Sequence, residues 1–83
     1  MSDPPFSDAE SSRFVLHFLT DQWEWEEGAP AETLEQAKLG ARDALTAVVR
    51  DESPEVACVT LTDHGVKVGV WDWVGDQPYW TGV

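Results

Sequence analysis

Residues 60–70 read TLTDHGVKVGV, and this stretch decides the fold that the sequence predicts. Apolar and polar residues alternate on both sides of Asp63-His64-Gly65, as in two paired strands whose successive side chains point to opposite faces. Gly65 can adopt the positive φ that a tight turn requires. The stretch therefore predicts a β-hairpin, with its second strand continuing to Val74.

The second strand of this hairpin has two different faces. The even-numbered positions lie on one side and are Val66, Val68 and Val70. The odd-numbered positions lie on the other side and are Lys67, Gly69, Trp71 and Trp73. If the valines pack on the helix, Trp71 and Trp73 lie on the uncovered face of the sheet. After Gly75-Asp76, Pro78 limits residues 79–81 to an edge strand, because proline cannot donate to a strand ladder.

Outward from the hairpin, residues 31–50 predict one helix. Apolar side chains recur at the helical period of about 3.6 residues. They form a single stripe of Leu34, Ala37, Ala41, Leu45 and Val48. Thr33 followed by Gln36 resembles a capping box, and Ser53-Pro54 prevents the helix from continuing.

Three further stretches are expected to be extended. Residues 13–19, RFVLHFL, are apolar on both faces and predict a central strand. Residues 20–27 alternate Trp with Glu, which indicates a short second strand or an extension of the first past a bend. Residues 55–62 form the first strand of the hairpin.

These elements predict a two-layer α+β domain, with one central helix packed on a three- or four-stranded, mainly antiparallel sheet. The chain has 83 residues, enough for one domain with a modest core. Residues 1–11 are rich in Ser, Asp and Pro and are predicted to be a disordered tail. Residues 12–83 are then the single α+β domain.

The charge of the chain restricts its partners. With 16 acidic and 5 basic side chains, the net charge is −11. Such a charge repels nucleic acid and anionic membrane and favours a basic partner, although it also serves solubility alone. No basic-then-apolar leader and no apolar run of about 20 residues is present, so we expect a cytoplasmic protein.

The first strand resembles a known family in its sequence Arg13-Phe14-Val15-Leu16-His17-Phe18. The family consists of short bacterial domains of unknown function, in which an Arg-aromatic-x-x-His strand precedes an acidic loop, an Ala-rich helix and a β-hairpin. Those parts correspond to residues 21–27, 34–49 and 56–70, while the Trp-rich stretch 71–80 has no counterpart. The resemblance implies the order of elements and no activity.

Tryptophan is the most unusual feature of the composition. The chain has five, at positions 23, 25, 71, 73 and 80. One interpretation is an exposed aromatic patch on the sheet, rimmed by Glu24, Glu26 and Asp72, because Trp is over-represented at binding hot spots. The other is a second small core, covered by the C-terminal residues.

No group of residues has the spacing of a catalytic or metal site. His17 lies among apolar strand residues, His64 lies in a turn, and the lone Cys58 lies in an apolar run that predicts a buried core thiol. The sequence contains no zinc spacing, calcium loop, nucleophile elbow or phosphate loop. We therefore expect no enzyme, no catalytic residue, no metal and no cofactor.

The leading hypothesis is a non-enzymatic protein-interaction module that uses a Trp-rich sheet face with an acidic rim. The anchors would be Trp23, Trp25, Trp71 and Trp73, and the residues that attract a basic partner would be Glu24, Glu26 and Asp72. One alternative is a structural subunit that buries this face in a homodimer. Another is an acidic nucleic-acid mimic that inhibits a basic protein. None of these involves direct contact with nucleic acid or membrane.

Overall fold

Five antiparallel strands and one helix make up the residues that the computed structural model describes, 13–83. In chain order they are β1 (Phe14–Thr20), β2 (Glu24–Ala29), α1 (Leu34–Glu52), β3 (Ala57–Asp63), β4 (Val66–Val74) and β5 (Gln77–Gly82). The strands form a single sheet in the order β2-β1-β3-β4-β5. The two-layer α+β prediction is confirmed, but the predicted strand count is low, since both short edge segments are strands. The predicted tail, residues 1–11, lies outside the described residues.

The first strand is central in the sheet, as predicted. β1 pairs with β2 on one side and with β3 on the other, so that Phe18 lies opposite both Trp25 and Val59. Phe14, Leu16 and Phe18 on its helix side are buried. A neighbouring strand on each side and a covering helix explain why this strand has few polar side chains.

The helix is bounded by its caps. The Thr33 hydroxyl accepts a hydrogen bond from the Gln36 backbone N–H at 3.2 Å, which satisfies one free donor of the first turn. At the other end Ser53 adopts a left-handed conformation with φ 49°, and its N–H donates to the carbonyl of Val49. α1 therefore begins at Leu34, later than the sequence predicts, and that residue is exposed.

The core lies between α1 and the three middle strands. Ala37, Ala41 and Leu45 of the helix are buried against Val59 and Leu61 of β3. The alanines are short, so the helix backbone approaches the sheet closely. Each fully buried large apolar side chain contributes about 1.5–3 kcal/mol relative to its exposed state.

A β-bulge in the hairpin decides which face β4 presents to the helix. Near the turn Thr62 lies opposite Lys67, but the register shifts between Leu61 and Thr62, and beyond it Leu61 lies opposite Gly69 and Val59 opposite Trp71. An unshifted register would place Val70 opposite Val59. Because side chains alternate with a period of two, one extra residue exchanges the two faces. The prediction that Val66, Val68 and Val70 share the face toward the helix is therefore wrong.

Candidate interaction surface

Three of the five tryptophans lie on the helix side of the sheet, near β4 and β5. Trp71 is 8% exposed and its indole N–H donates to the backbone carbonyl of Lys38 at 2.8 Å. Trp80 packs against Trp71 with ring centroids 5.3 Å apart, and Trp73 packs on the same core. The expectation that Trp71 and Trp73 occupy the uncovered face is therefore wrong, because the bulge turns them toward α1.

The other two tryptophans form an aromatic stack at the opposite edge of the sheet. Trp25 lies parallel to Phe18 with centroids 4.5 Å apart, and Trp23 stacks on Trp25 at 3.8 Å. The Trp25 indole N–H donates to Glu27 at 3.0 Å. Trp23 is the outermost ring and is 41% exposed. The five tryptophans thus separate into two groups on the two margins of the sheet and form no common patch.

The predicted acidic rim lies on the other face, which we call the open face because no element of residues 13–83 packs on it. Directly paired residues share a face, and the register gives two rows across all five strands. The rows are Glu24, Leu19, Cys58, Asp72, Tyr79 and Glu26, His17, Thr60, Val70, Thr81. Leu19 and Tyr79 are 45% and 50% exposed. The structure therefore places Glu24, Glu26 and Asp72 on one face, with Leu19 and Tyr79 as the large apolar side chains in the row of Glu24 and Asp72.

The carboxylates of this region differ in their partners. Glu26 lies 3.1 Å from the His17 imidazole, whereas Glu24 and Asp72 take part in no ion pair within residues 13–83. Asp21 has a structural role, because its carboxylate accepts hydrogen bonds from the backbone N–H groups of Glu55 and Val56. The acidic residues thus differ in role: Asp21 is structural, whereas Glu24 and Asp72 have no cationic partner within residues 13–83.

The cysteine lies on the open face and is half-buried, so the prediction of a core thiol is wrong. Burial raises the pKa of the Cys58 thiol, and the neighbouring Asp72 carboxylate raises that pKa further. The side chain is therefore a neutral thiol near neutral pH, which is the opposite of an activated nucleophile.

The remaining histidine belongs to the hairpin turn. His64 has φ 52° and Gly65 has φ 84°, and the imidazole lies 3.3 Å from Asp63. The same carboxylate pairs with Arg13 at 2.9 Å, which lowers the pKa of Asp63.

Across residues 13–83 no three metal-ligating side chains cluster. No helix in that range has the length and apolarity that a membrane crossing requires.

A cleft of about 280 Å³ separates the helix from the edge strand β2. Its walls include Leu16, Glu27, Ala29, Gln36, Gly40 and Ala44. Sequence reasoning did not predict this cleft, because it arises where short helix residues face an edge strand. The one sequence signal for the cleft is Gly40, which lies off the apolar stripe of the helix. A Cβ at this position would meet no atom within 4 Å.

The comparisons with known proteins add no relative. No family model, no curated protein and no solved structure matches this chain. The resemblance of its first strand to short bacterial domains stays a prediction.

Proposed function

We propose that this domain is a non-enzymatic interaction module that binds a basic protein segment on its open face. The observation that supports this most directly is the row Glu24, Leu19, Cys58, Asp72, Tyr79. In it, each of two large exposed apolar side chains lies next to a carboxylate that has no cationic partner among the described residues.

The chemistry of such a row suits a partner rich in Lys or Arg. The apolar side chains lose water on contact, and the carboxylates attract the partner and determine its orientation. The net charge of −11 adds long-range attraction for a basic partner and repels a second copy of the same chain.

Trp71 and Trp23 differ in what they can contribute to binding. Trp71 supports the core and is no anchor, since its indole is already hydrogen-bonded to the helix. Trp23 is exposed at the β2 edge and remains a candidate contact residue. The proposal keeps Glu24, Glu26 and Asp72 as the residues that attract the basic partner.

Two matched triple variants test the proposal. One neutralises the open face with Glu24→Gln, Glu26→Gln and Asp72→Asn, and the other removes the same charge elsewhere with Asp43→Asn, Glu52→Gln and Glu55→Gln. Binding of fluorescent Lys-rich and Arg-rich peptides is measured for both across a salt series. We expect the first variant to lose about tenfold or more in affinity and much of the salt dependence. Equal losses in the two variants would show that net charge alone is responsible.

A further inference from the structure

The strand β2 is an edge strand with free backbone hydrogen-bonding groups. Among residues 13–83 it has one neighbour in the sheet, β1. The Thr20 N–H donates to the Trp23 carbonyl, and the register then makes Phe18 with Trp25 and Leu16 with Glu27 the hydrogen-bonded pairs. The alternate residues, Glu24 and Glu26, therefore direct their N–H and C=O groups away from the sheet.

The opposite edge is protected, which makes the two edges unequal. Between β4 and β5 the hydrogen-bonded pairs are Val74 with Gln77 and Asp72 with Tyr79. Pro78 lies between these pairs, so its backbone nitrogen is on the outer side of β5. Proline has no N–H, so it interrupts the donors of that edge. β2, with the sequence EWEEGA, contains no proline.

The side chains of β2 select what can pair with it. Glu24 and Glu26 lie on the open face, and Trp25 and Glu27 lie on the helix side beside the cleft. A second copy of β2 would place carboxylates opposite carboxylates, which is destabilising in a cross-strand pair. An extended segment with Lys or Arg at alternate positions would place its cations opposite Glu24 and Glu26 and its other side chains beside Trp25.

We infer that β2 binds an extended basic segment of a partner protein as a sixth strand of the sheet. This inference rests on the proposed function and adds the mode of binding. Main-chain hydrogen bonds to Glu24 and Glu26 supply part of the affinity, and the alternation of charge supplies the register and the choice of partner. The same carboxylates discourage edge-to-edge pairing of two copies.

The experiment uses the full chain and a short synthetic peptide of alternating lysine and valine. Two variants at one position separate charge from backbone: Glu26→Gln removes the carboxylate only, and Glu26→Pro also removes the outward N–H. Proline is tolerated at an outward position of an edge strand. We expect Glu26→Gln to weaken binding by about two- to fivefold and Glu26→Pro by about a further tenfold.

A second measurement does not depend on the folding of the proline variant. Amide hydrogen exchange is followed by NMR in the native chain, with and without the peptide. The amides of Trp25 and Glu27 are already protected by β1, so the outward amides, those of Glu24, Glu26 and Gly28, are the ones expected to gain protection. A peptide with N-methyl groups on its facing edge should bind about tenfold more weakly.

The outcomes distinguish the inference from the proposed function. If the peptide binds while the amides of Glu24 and Glu26 remain unprotected, the sixth-strand mode is wrong and the basic-partner proposal stands. If neither the peptide nor its arginine counterpart binds, both are wrong. If these amides become protected with rising protein concentration and no peptide, the occupant is a second copy, which overturns the inference.

Discussion

The indole N–H of Trp71 donates to the main-chain carbonyl of Lys38, with 2.8 Å between the nitrogen and the oxygen. This bond joins the middle of β4 to the second turn of α1. Lys38 is involved twice, since its ammonium group lies 4.8 Å from the ring of Trp80. One helix residue thus holds the two aromatic rings that extend the core toward β5.

Replacement of Trp71 by phenylalanine tests this attachment. Trp71→Phe removes the hydrogen bond and leaves unfilled volume in a site that is 8% exposed, so we expect a loss of about 1–3 kcal/mol in the free energy of unfolding. Urea denaturation measures it. Trp23→Phe is the control, because Trp23 is 41% exposed and should cost less than about 1 kcal/mol. Similar losses for the two variants would contradict the assignment of Trp71 to the core.

Gly69 is expected to tolerate no side chain. A Cβ at this position would overlap the ring of Trp80 and lie 2.7 Å from the carbonyl oxygen of Thr81. Gly69→Ala should therefore destabilise the domain by about 1–3 kcal/mol, although alanine normally improves on glycine in backbone entropy. The control is Gly40→Ala, which meets no atom within 4 Å and should stabilise the exposed helix position by about 1 kcal/mol. Thermal unfolding of both variants measures the difference.

Cys58 reports on the open face through its reactivity. Because burial and the Asp72 carboxylate both raise its pKa, alkylation by iodoacetamide near pH 8 should be slower than that of a free cysteine peptide. Asp72→Asn removes the carboxylate, which is the smaller of the two causes of the raised pKa, so the alkylation rate of Cys58 should rise modestly. A basic peptide bound across the open face should lower the rate, whereas one bound only at the β2 edge should leave it unchanged. A rate equal to that of the free peptide would show that Cys58 is more accessible than the structure indicates.

The Arg13–Asp63 pair predicts a specific pH dependence. The pKa of Asp63 in the folded state lies below its ordinary value of 3.8, chiefly because of the hydrogen bond from Arg13. The pair therefore stabilises the folded domain at pH values above the ordinary pKa of Asp63. This stabilisation is lost as the pH falls through the lower pKa of the folded state. Asp63→Asn should destabilise the domain near neutral pH, and the difference from the native chain should shrink in acid. Urea unfolding from neutral to acid pH measures this difference.

Asp76→Asn provides the control for this prediction. Asp76 lies exposed in the β4–β5 turn and takes part in no ion pair among residues 13–83. Its replacement should produce a difference that changes little with pH. A pH-independent difference for Asp63→Asn as well would contradict the role given to Arg13.

The local patterns of the sequence were sufficient for most of the secondary structure. The helical period from Leu34 to Val48, the Thr33 cap and the turn at Asp63-His64-Gly65 each depend on residues close together in the chain. The apolar residues on both faces of β1 also predicted its central position, although only the face with Phe14, Leu16 and Phe18 is covered by the helix. The edge strands were harder to predict, since β2 and β5 carry exposed Glu, Gly and Pro residues.

The sequence by itself therefore determined the two-layer α+β class, the helix, the hairpin and the acidic character of the surface. Only the tertiary structure decided which side chains face the helix. The bulge at Leu61/Thr62 shifts the register of β4 by one residue, and a shift of one exchanges the two faces of a strand with period two. It turns Trp71 inward and leaves Asp72 and its β5 partner Tyr79 on the open face. β3 and β4 are neighbours in the sequence, but the alternation of residue types does not show where an extra residue enters a strand, so packing against the helix decides the register.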